Sequence, residues 1–337
     1  MARQPVRIVD IARRLGVSTA TVSTVLNDKA AQGRISAEMQ EAVWSTARSM
    51  GYQPNMAARR LRSSALVEDS IYLAVIASLE TPFSLVGAVM LGVQSYAAEC
   101  QESLQLTIET FRMGQLCALP GLHNNTRFHG AIITNTGLDD DAFIATTTFS
   151  MPVVLFLRQI AGANCVTSNS AESGERAAEL MYSRGCRRPA VLAPLEMTQA
   201  RLDRMDGYKA FWRKAGIEAT EIWATSFNER SGYAAMNGFL SSDGQCDALF
   251  VVGDSMAVGA MAAIKLAGLR IPEDVAVVGH DDLDFASFTD PPLTTFHLPV
   301  FEMARDATSL LLQLLRSGVQ PPVQRIYPAE LVMRASA

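Results

Sequence analysis

The sequence has few of the residues that build disulfide frameworks and metal centres. Its 337 residues include five cysteines, at positions 100, 117, 165, 186 and 246, and four histidines. Because the cysteines are widely spaced and form no C-x-x-C pair, we predict neither a disulfide framework nor a metal site. The sequence also lacks the G-x-G-x-x-G, P-loop and H-E-x-x-H motifs of common nucleotide- and zinc-dependent enzymes. We therefore expect no bound cofactor.

Long apolar runs are missing as well. No stretch approaches the roughly 20 apolar residues that cross a bilayer, and the opening MARQPVRIVD lacks the apolar core of a secretory signal. These absences predict a cytoplasmic protein without membrane contact. With 337 residues, 49% of them hydrophobic, the chain is expected to form two or three domains.

The net charge of −5 hides a strong asymmetry along the chain. Residues 1–65 contain ten Lys or Arg and four Asp or Glu, which leaves +6 there and −11 on the remainder. A basic end on an acidic body is typical of a protein that contacts a polyanion such as DNA with that end.

Residues 8–27 have the pattern of two short helices. Apolar residues recur at i, i+3, i+4 and i+7 in the first helix, at Ile8, Ile11, Ala12 and Leu15, and again in the second, at Val22, Val25 and Leu26. Gly16 ends the first helix and Ser18 can cap the second. The remaining positions of the second helix are small and polar, so the pair predicts a helix-turn-helix that can enter a major groove.

A third helix and a basic segment follow. Ser36 can cap a helix that buries Met39, Val43, Ala47 and Met50 and ends at Gly51. In residues 52–66, Pro54 can start a helix over 54–62, and Arg59, Arg60 and Arg62 make the segment basic, which fits a plain interdomain linker less well. A helix this short needs a partner, so we expect it to fold against a polyanion.

From residue 71 onward, short β-rich runs alternate with helical patterns. The predicted strands are 71–77, 104–108, 130–134, 152–156, 189–193, 247–252 and 275–279. The predicted helices between them include 85–100, 171–184, 204–215, 255–267 and 301–316, while 112–128 is predicted to be irregular. This alternation indicates an α/β fold with parallel sheets, long enough for two lobes.

Several short motifs along the chain resemble those of a known family. The motifs are DIARRLGVSxATVSxVLN at 10–27, Ser36, GYxPNxxARxL at 51–61, Arg204 with DGY at 206–208, GDxxAxG at 253–259, GLxIPED at 268–274, VGxDD at 278–282 and PLTT at 292–295. In this order they are similar to the lactose-repressor/galactose-repressor (LacI/GalR) family of bacterial transcription regulators, over essentially the whole chain.

The resemblance implies a particular domain organisation. It consists of an all-α helix-turn-helix headpiece (1–51), a hinge helix and linker (52–66) and a two-lobed, periplasmic-binding-protein-like α/β core (67–337). The first lobe is expected at about 67–165 plus 296–327 and the second at about 166–295 plus 328–337. The resemblance also implies a homodimer, or a tetramer, that binds a palindromic DNA operator. No C-terminal leucine heptads follow residue 331, which favours the dimer.

The resemblance further assigns residues to DNA. Thr19, Ala20 and Thr24 occupy base-facing positions, where methyl groups can contact thymine and hydroxyls can bond base edges. Thr24 is a departure, since many members carry an arginine there that reads guanine. The remaining expected DNA contacts hold phosphates or lie in the hinge, where Leu61 would wedge into the minor groove: Ser18, Thr21, Ser23, Asn27, Tyr52, Asn55, Arg59 and Leu61.

The same resemblance implies a small-molecule effector, most simply a sugar or sugar derivative, between the lobes. Its expected contacts are Phe83, Thr134, Arg204, Phe227, His280 and Asp281. Several positions depart from the sugar-binding pattern: Leu157 replaces a frequent Asp, Leu298 a frequent Gln, His280 the usual Phe or Tyr, and Gly253 a common Asn. Fewer hydroxyl partners therefore remain.

Two alternatives explain parts of the sequence. A solute-binding protein would share the two lobes, but it would need a signal peptide and no basic headpiece. A GDS-type esterase could use Gly253, Asp254 and Ser255, but no D-x-x-H follows, and Asp254 or Ser255 can simply cap the next helix. We therefore predict a regulator without enzymatic activity.

The hinge assignment gives a first prediction. Leu61→Ala is expected to abolish specific operator binding and leave weak, salt-sensitive binding, because the wedge opens a DNA kink while basic residues still attract phosphates. Fluorescence anisotropy with operator and scrambled DNA, at two salt concentrations, measures both. Unchanged affinity of the variant for its operator would rule out the wedge.

Overall fold

The structure is a computed structural model that describes residues 7–26, 35–50, 70–122, 127–149, 151–317 and 321–337. The chain divides into two compact units, one formed by the amino-terminal helices and the other by nearly everything from residue 70 onward. Each unit has its own hydrophobic core.

The first unit contains helices α1 (Ile8–Leu15), α2 (Thr19–Leu26) and α3 (Ala37–Met50). Gly16 ends α1 with a φ of 68°, a left-handed conformation that glycine adopts without strain. Ser18 caps α2, since its Oγ accepts the Thr21 N–H at 3.0 Å. The apolar positions predicted for all three helices form one cluster, which confirms the helix-turn-helix.

The second unit contains twelve strands in its described residues. They are β1 (Ile71–Ser78), β2 (Leu104–Phe111), β3 (Gly130–Thr134), β4 (Val153–Phe156), β5 (Cys165–Ser168), β6 (Pro189–Pro194), β7 (Thr220–Ala224), β8 (Ala248–Val251), β9 (Ala276–Val278), β10 (Thr295–His297), β11 (Gln324–Tyr327) and β12 (Glu330–Val332). All seven predicted strands are present, with shifted ends in most. β7, β5 and the three short strands after residue 290 were not predicted.

Seven helices accompany these strands in the described part of the chain. They are α4 (Phe83–Glu99), α5 (Leu138–Thr146), α6 (Ser170–Ser183), α7 (Gln199–Lys214), α8 (Glu229–Ser241), α9 (Asp254–Leu266) and α10 (Val300–Ser317). The helix predicted to begin at Arg204 begins at Gln199 instead, because Thr198 caps it by accepting the Arg201 N–H. None of the described helices combines the length and the apolar character that crossing a bilayer requires.

The strands form two parallel sheets, one in each lobe. The first lobe has the order β11-β5-β4-β3-β1-β2 and the second has β7-β6-β8-β9. Each sheet is covered on both faces by helices, with a separate apolar cluster on each face. The parallel α/β architecture is confirmed.

The chain passes between the lobes three times. It leaves the first lobe after Ser168, since β5 lies in the first sheet, and it returns through β10. After β11 rejoins the first sheet, the chain crosses again into β12, which pairs antiparallel with β10. The two short strands β10 and β12 therefore run side by side at the crossing.

The segment predicted to be irregular, 112–128, contains two short 3-10 turns at Leu116–Ala118 and Pro120–Leu122 within its described part. The buried carboxylate of Asp140 holds it in place by accepting backbone N–H groups from Gly114, Leu116 and Gly137 at 2.9–3.0 Å. One side chain thus supplies hydrogen bonds that regular structure would otherwise provide.

Helices α6 and α7 pack with their backbones in close approach at Gly174. A Cβ at this position would lie 1.9 Å from the carbonyl oxygen of Arg204. Gly174→Ala is therefore expected to force α7 outward and lower the free energy of unfolding by about 1–3 kcal/mol. Urea denaturation measures this loss.

The matched control is Gly238→Ala. Gly238 also lies in a helix, but an added Cβ there meets no atom within 4 Å. Since alanine has the higher helix propensity, this variant is expected to be about 0.5–1 kcal/mol more stable. Equal effects of the two substitutions would contradict the close approach at Gly174.

Candidate functional site

Helix α2 presents its amino-terminal end to solvent. Thr19 and Ala20 are exposed, while Thr21, Ser23 and Thr24 are partly exposed and Val22 and Val25 are buried. The hydroxyls of Ser18 and Thr21 share a hydrogen bond of 2.9 Å. The exposed groups are thus short hydroxyls and methyls, which can approach base edges and phosphates closely.

A cavity of about 740 Å³ lies between the two lobes. It is at the carboxyl ends of the strands, where ligands bind in open α/β sheets. From the first lobe it is lined by residues 82–85, 87, 88 and 91, by Asn135 and Leu157, and by residues 297–302. From the second lobe it is lined by Thr198, Ala200, Arg201, Arg204, Phe227 and 281–285. The size suits a ligand of one or two sugar rings.

Arg204 organises the second-lobe wall of the cavity. Its Nη1 donates to the Val252 carbonyl at 2.8 Å and to Asp281 Oδ1 at 3.2 Å, and the side chain is 4% exposed. Burial lowers the pKa of the guanidinium, and Asp281 opposes this. Burial alone would raise the pKa of Asp281, but Arg204 and His280 outweigh it and hold it below its ordinary value. Asp281 is therefore ionised at neutral pH, and a guanidinium keeps its proton in proteins.

Phe227 packs between Arg201 and Gly253. The guanidinium carbon of Arg201 lies 3.9 Å from the centre of the Phe227 ring, a cation–π contact. A Cβ at position 253 would lie 2.1 Å from the ring, so a larger residue there would displace Phe227. The unusual Gly253 is therefore explained by the space that Phe227 occupies.

The backbone around the cavity is strained. Four non-glycine residues of its wall have positive φ angles: Asn135 (56°), Leu157 (57°), Asp281 (112°) and Asp282 (55°). Each follows the end of a strand. Such conformations cost free energy and concentrate at binding sites.

The first-lobe wall is more apolar. Leu157 and Leu298 lie at positions where the resemblance leads one to expect polar side chains, and Phe83 and Phe301 line the same cavity. Asn135 is a polar residue of this wall, with its Nδ2 donating to Ser78 Oγ at 2.9 Å, and Ser84 and Glu302 are others. The two walls thus differ in chemistry.

A second depression, of about 920 Å³, lies on the second lobe near Cys186, Arg188, Asp247 and Asp274. It is at the amino ends of β6, β8 and β9, where parallel sheets do not place ligand sites. We therefore place the functional cavity between the lobes. In the described part of the chain, no cluster of His, Cys, Asp or Glu could hold a metal ion.

Comparison with known proteins agrees with this architecture. Residues 7–55 match the family model for bacterial regulatory proteins of the lacI family, and residues 178–337 match the periplasmic binding protein-like domain. The chain belongs to the LacI/GalR family of transcription regulators.

Relatives of this LacI/GalR-family regulator match it from end to end. The regulator CelR of Thermobifida fusca is 28% identical, with 97% of this chain and 96% of CelR covered. The ribose operon repressor of Escherichia coli K12 is 29% identical over 94% of both chains. The lac repressor dimer bound to operator and an anti-inducer has a TM-score of 0.71 at 27% identity, with 99% of each chain covered.

The six effector contacts predicted from the sequence fall into two groups. Phe83, Arg204, Phe227 and Asp281 line the cavity. Thr134 and His280 are fully buried and do not line it. Asn135, the residue that follows Thr134 in the chain, lines the cavity instead.

Sequence reasoning missed Arg201 and Asn135. Arg201 could have been found from Thr198, a capping residue one turn before it. Of the predicted DNA contacts, Asn27, Tyr52, Asn55, Arg59 and Leu61 lie outside the described residues.

The esterase alternative is not favoured by the surroundings of Asp254. This carboxylate is completely buried and accepts hydrogen bonds from Thr295 Oγ1 at 2.7 Å and from the Leu283 N–H at 2.9 Å. It therefore connects the cavity loop to β10. The relatives of this chain include transcription regulators such as CelR and the ribose operon repressor.

His280 supports Asp281 from behind the cavity. Its Nδ1 lies 3.1 Å from Asp281 Oδ1, and its ring stacks on Phe296. Burial, aided by the nearby Arg204, lowers the pKa of His280 to about 4. The folded protein therefore holds a neutral histidine that donates from Nδ1.

The variant His280→Phe tests whether His280 is neutral in the folded protein. Between pH 6.5 and 4 the unfolded chain binds a proton at His280 that the folded chain does not, so acid destabilises the wild type through this residue. Relative to wild type, the variant is expected to gain up to about 3 kcal/mol as the pH falls through this range.

Urea denaturation of both proteins at several pH values measures the difference. Asp254, whose pKa is raised to about 7 by burial and by Asp281, is present in both proteins, so most of its contribution cancels. A difference that does not change with pH would contradict a neutral buried His280.

Proposed function

We propose that this protein is a dimeric transcriptional repressor that binds a palindromic operator and responds to a small molecule in the cavity between its lobes. The observation that carries the proposal is the exposed hydroxyl and methyl surface of α2, presented by a three-helix unit on the same chain as a cavity-containing core. Because DNA is its partner, we place it in the bacterial cytoplasm.

The chemistry of α2 supports specific roles for its residues. Thr19, Ala20 and Thr24 face the bases, and their methyl groups favour contacts with thymine. Ser18, Thr21 and Ser23 bind phosphates and set the register, together with the predicted contacts at Asn27, Tyr52 and Asn55. In the hinge, Arg59 adds a phosphate contact and Leu61 enters the minor groove.

The effector is proposed to be a sugar or sugar derivative. The relatives support this class, because they include a ribose operon repressor and a CelR structure in complex with cellobiose. Arg204 and Asp281 provide donors and acceptors for hydroxyl groups, and Phe227 provides an aromatic surface. Phe83, 86% exposed, lines the first-lobe side of the cavity.

The dimer explains the expected symmetry of the DNA site. Two identical recognition helices read two half-sites, so the operator must be an inverted repeat. The effector would act by changing how the lobes are arranged, which changes the separation of the two DNA-reading units.

The test is selection of binding sites from random DNA with the purified full-length protein. The proposal expects an enriched inverted repeat and tight binding that falls steeply with salt. Selection of no sequence, or of an asymmetric one, would overturn it.

Position 24 provides a sharper prediction. Thr24→Arg is expected to enrich guanine at one position of each half-site, since arginine bonds guanine O6 and N7 together, with discrimination of about 1–3 kcal/mol. Repeating the selection with the variant measures the change. As a control, Thr24→Ser is expected to retain most of the wild-type preference, and a Thr24→Arg site identical to the wild-type site would show that residue 24 does not face bases.

A further inference from the structure

The cavity holds two buried guanidiniums. Arg201 and Arg204 are one turn apart on α7 and both line the cavity, with 5% and 4% of their surfaces exposed. Buried arginines are normally paired with carboxylates. The balance of charge around this pair therefore indicates what the cavity binds.

Among the described residues, Asp281 is the carboxylate that is bonded to these cations. Glu196 and Glu80 attract Arg201, and Asp254 and Asp203 attract Arg204, without forming an ion pair with them. Asp281 bonds Arg204 at 3.2 Å, whereas Arg201 forms no ion pair with any residue that the structure describes. Its one direct hydrogen bond within the described residues runs from Nη1 to the Glu196 carbonyl at 3.3 Å, apart from the cation–π contact with Phe227. In addition, Arg204 Nε is buried and has no partner among the described residues. A buried guanidinium donor of Arg204 therefore remains without a hydrogen-bond partner among the described residues.

The position of Arg201 in its helix adds to this excess. It lies in the first turn of α7, where the helix dipole is positive and a cation is unfavourable. Burial, together with repulsion from Arg204, lowers the pKa of Arg201 to about 10. The guanidinium stays charged at neutral pH. A bound anion would offset the burial of this charge, its repulsion by Arg204 and its unfavourable position in the helix dipole.

The other carboxylates of the cavity do not balance this charge. Asp282 is paired with Arg334 at 2.6 Å and with His297 at 3.1 Å. Asp284 and Glu302 are exposed at the rim, where water screens them.

We propose that the effector carries an anionic oxygen group, which binds between Arg201 and Arg204. The inference rests on the proposed effector cavity and narrows its ligand class from neutral sugars to acids. Guanidiniums bind carboxylates and phosphates in the same two-donor geometry, so both are possible sources of the anion.

The apolar wall completes the description of this ligand. Leu157 and Leu298 face the cavity from the first lobe and provide no partners for hydroxyl groups. A neutral sugar, which carries hydroxyls on every side, would leave some of them without hydrogen bonds there. An acid with a less polar remainder fits both walls.

The experiment measures thermal stabilisation and calorimetric affinity of the full-length protein with matched pairs of compounds. The probes are galactose and galacturonate, glucose and gluconate, glucose and glucose 6-phosphate, and cyclohexanol and cyclohexanecarboxylate. The proposal expects at least one acid to bind at least tenfold more tightly than its neutral partner. The pairs also tell carboxylates from phosphates.

Variants at Arg201 test whether this residue is responsible for the tighter binding of the acid. Arg201→Met keeps the length of the side chain and its packing on Phe227 but removes the charge, so binding of the acid is expected to weaken about 10- to 100-fold. Arg201→Lys should recover part of it. Arg213→Gln, at an exposed arginine of the same helix, is the control and should bind like the wild type.

A ligand-free measurement keeps the test decisive. Because Arg201 is a buried cation without a carboxylate partner, Arg201→Met is expected to melt at a higher temperature than wild type in the absence of ligand. A residue that merely stabilises the fold would give the opposite result.

The proposal is overturned if neutral compounds bind as well as their acids, if no acid binds, or if Arg201→Met is destabilised and retains acid binding. If an inverted-repeat operator is selected and any of these results is also obtained, the proposed repressor function stands and only the proposed acidic effector is rejected. Failure of the DNA selection with intact acid binding would do the reverse.

Discussion

The ion pair between Arg204 and Asp281 is the interaction on which the cavity depends. Arg204 also bonds the Val252 carbonyl at the end of β8, and the Asp281 N–H donates to the Phe296 carbonyl of β10 at 2.9 Å. One charged pair therefore connects helix α7, the second sheet and a strand that crosses between the lobes. Arg204 is buried, whereas the Asp281 side chain is 21% exposed to the cavity, so the loss of Asp281 would leave a buried cation unpaired at a cost of about 3–5 kcal/mol.

The loop that follows β9 transmits this connection toward the crossing segments. Asp254 bonds Leu283 in the loop and Thr295 in β10, while Asp282 bonds Arg334 just after β12. A backbone bridge between Gly137 and Thr198 joins loops of the two lobes beside the same cavity. A ligand on residues 281–285 would thus touch a loop that is hydrogen-bonded to β10 and to the segment after β12.

The helix-turn-helix and the parallel sheets could be predicted because short-range patterns determine them. Ile11, Val22 and Val43 each belong to a set of apolar residues at helical spacing. That spacing predicts the buried face on which the three residues lie. β11 and β12 were not predicted, because four- and three-residue strands carry little periodic signal and depend on partners far along the chain.

The cavity was predicted less completely for a related reason. Arg204 and Asp281 lie in motifs, so the resemblance located them. Arg201 depends on where α7 begins, and that boundary is decided by the Thr198 cap and by packing against Gly174. His280 has a side chain that could bind ligand, but burial beneath Asp281 gives it a supporting position that only the fold defines.

The two walls of the cavity have different consequences for regulation. A ligand shifts an equilibrium between lobe arrangements only through contacts that differ between them. The Arg201–Arg204 pair lies wholly on the second lobe and keeps its geometry as that lobe moves, so an anion bound there gains affinity in every arrangement. Leu157 and Leu298 belong to the other wall, and contact with them exists only while the lobes are close. The less polar part of the ligand must therefore supply the differential affinity, and a change of about 100-fold in operator binding would require only about 2.7 kcal/mol from it.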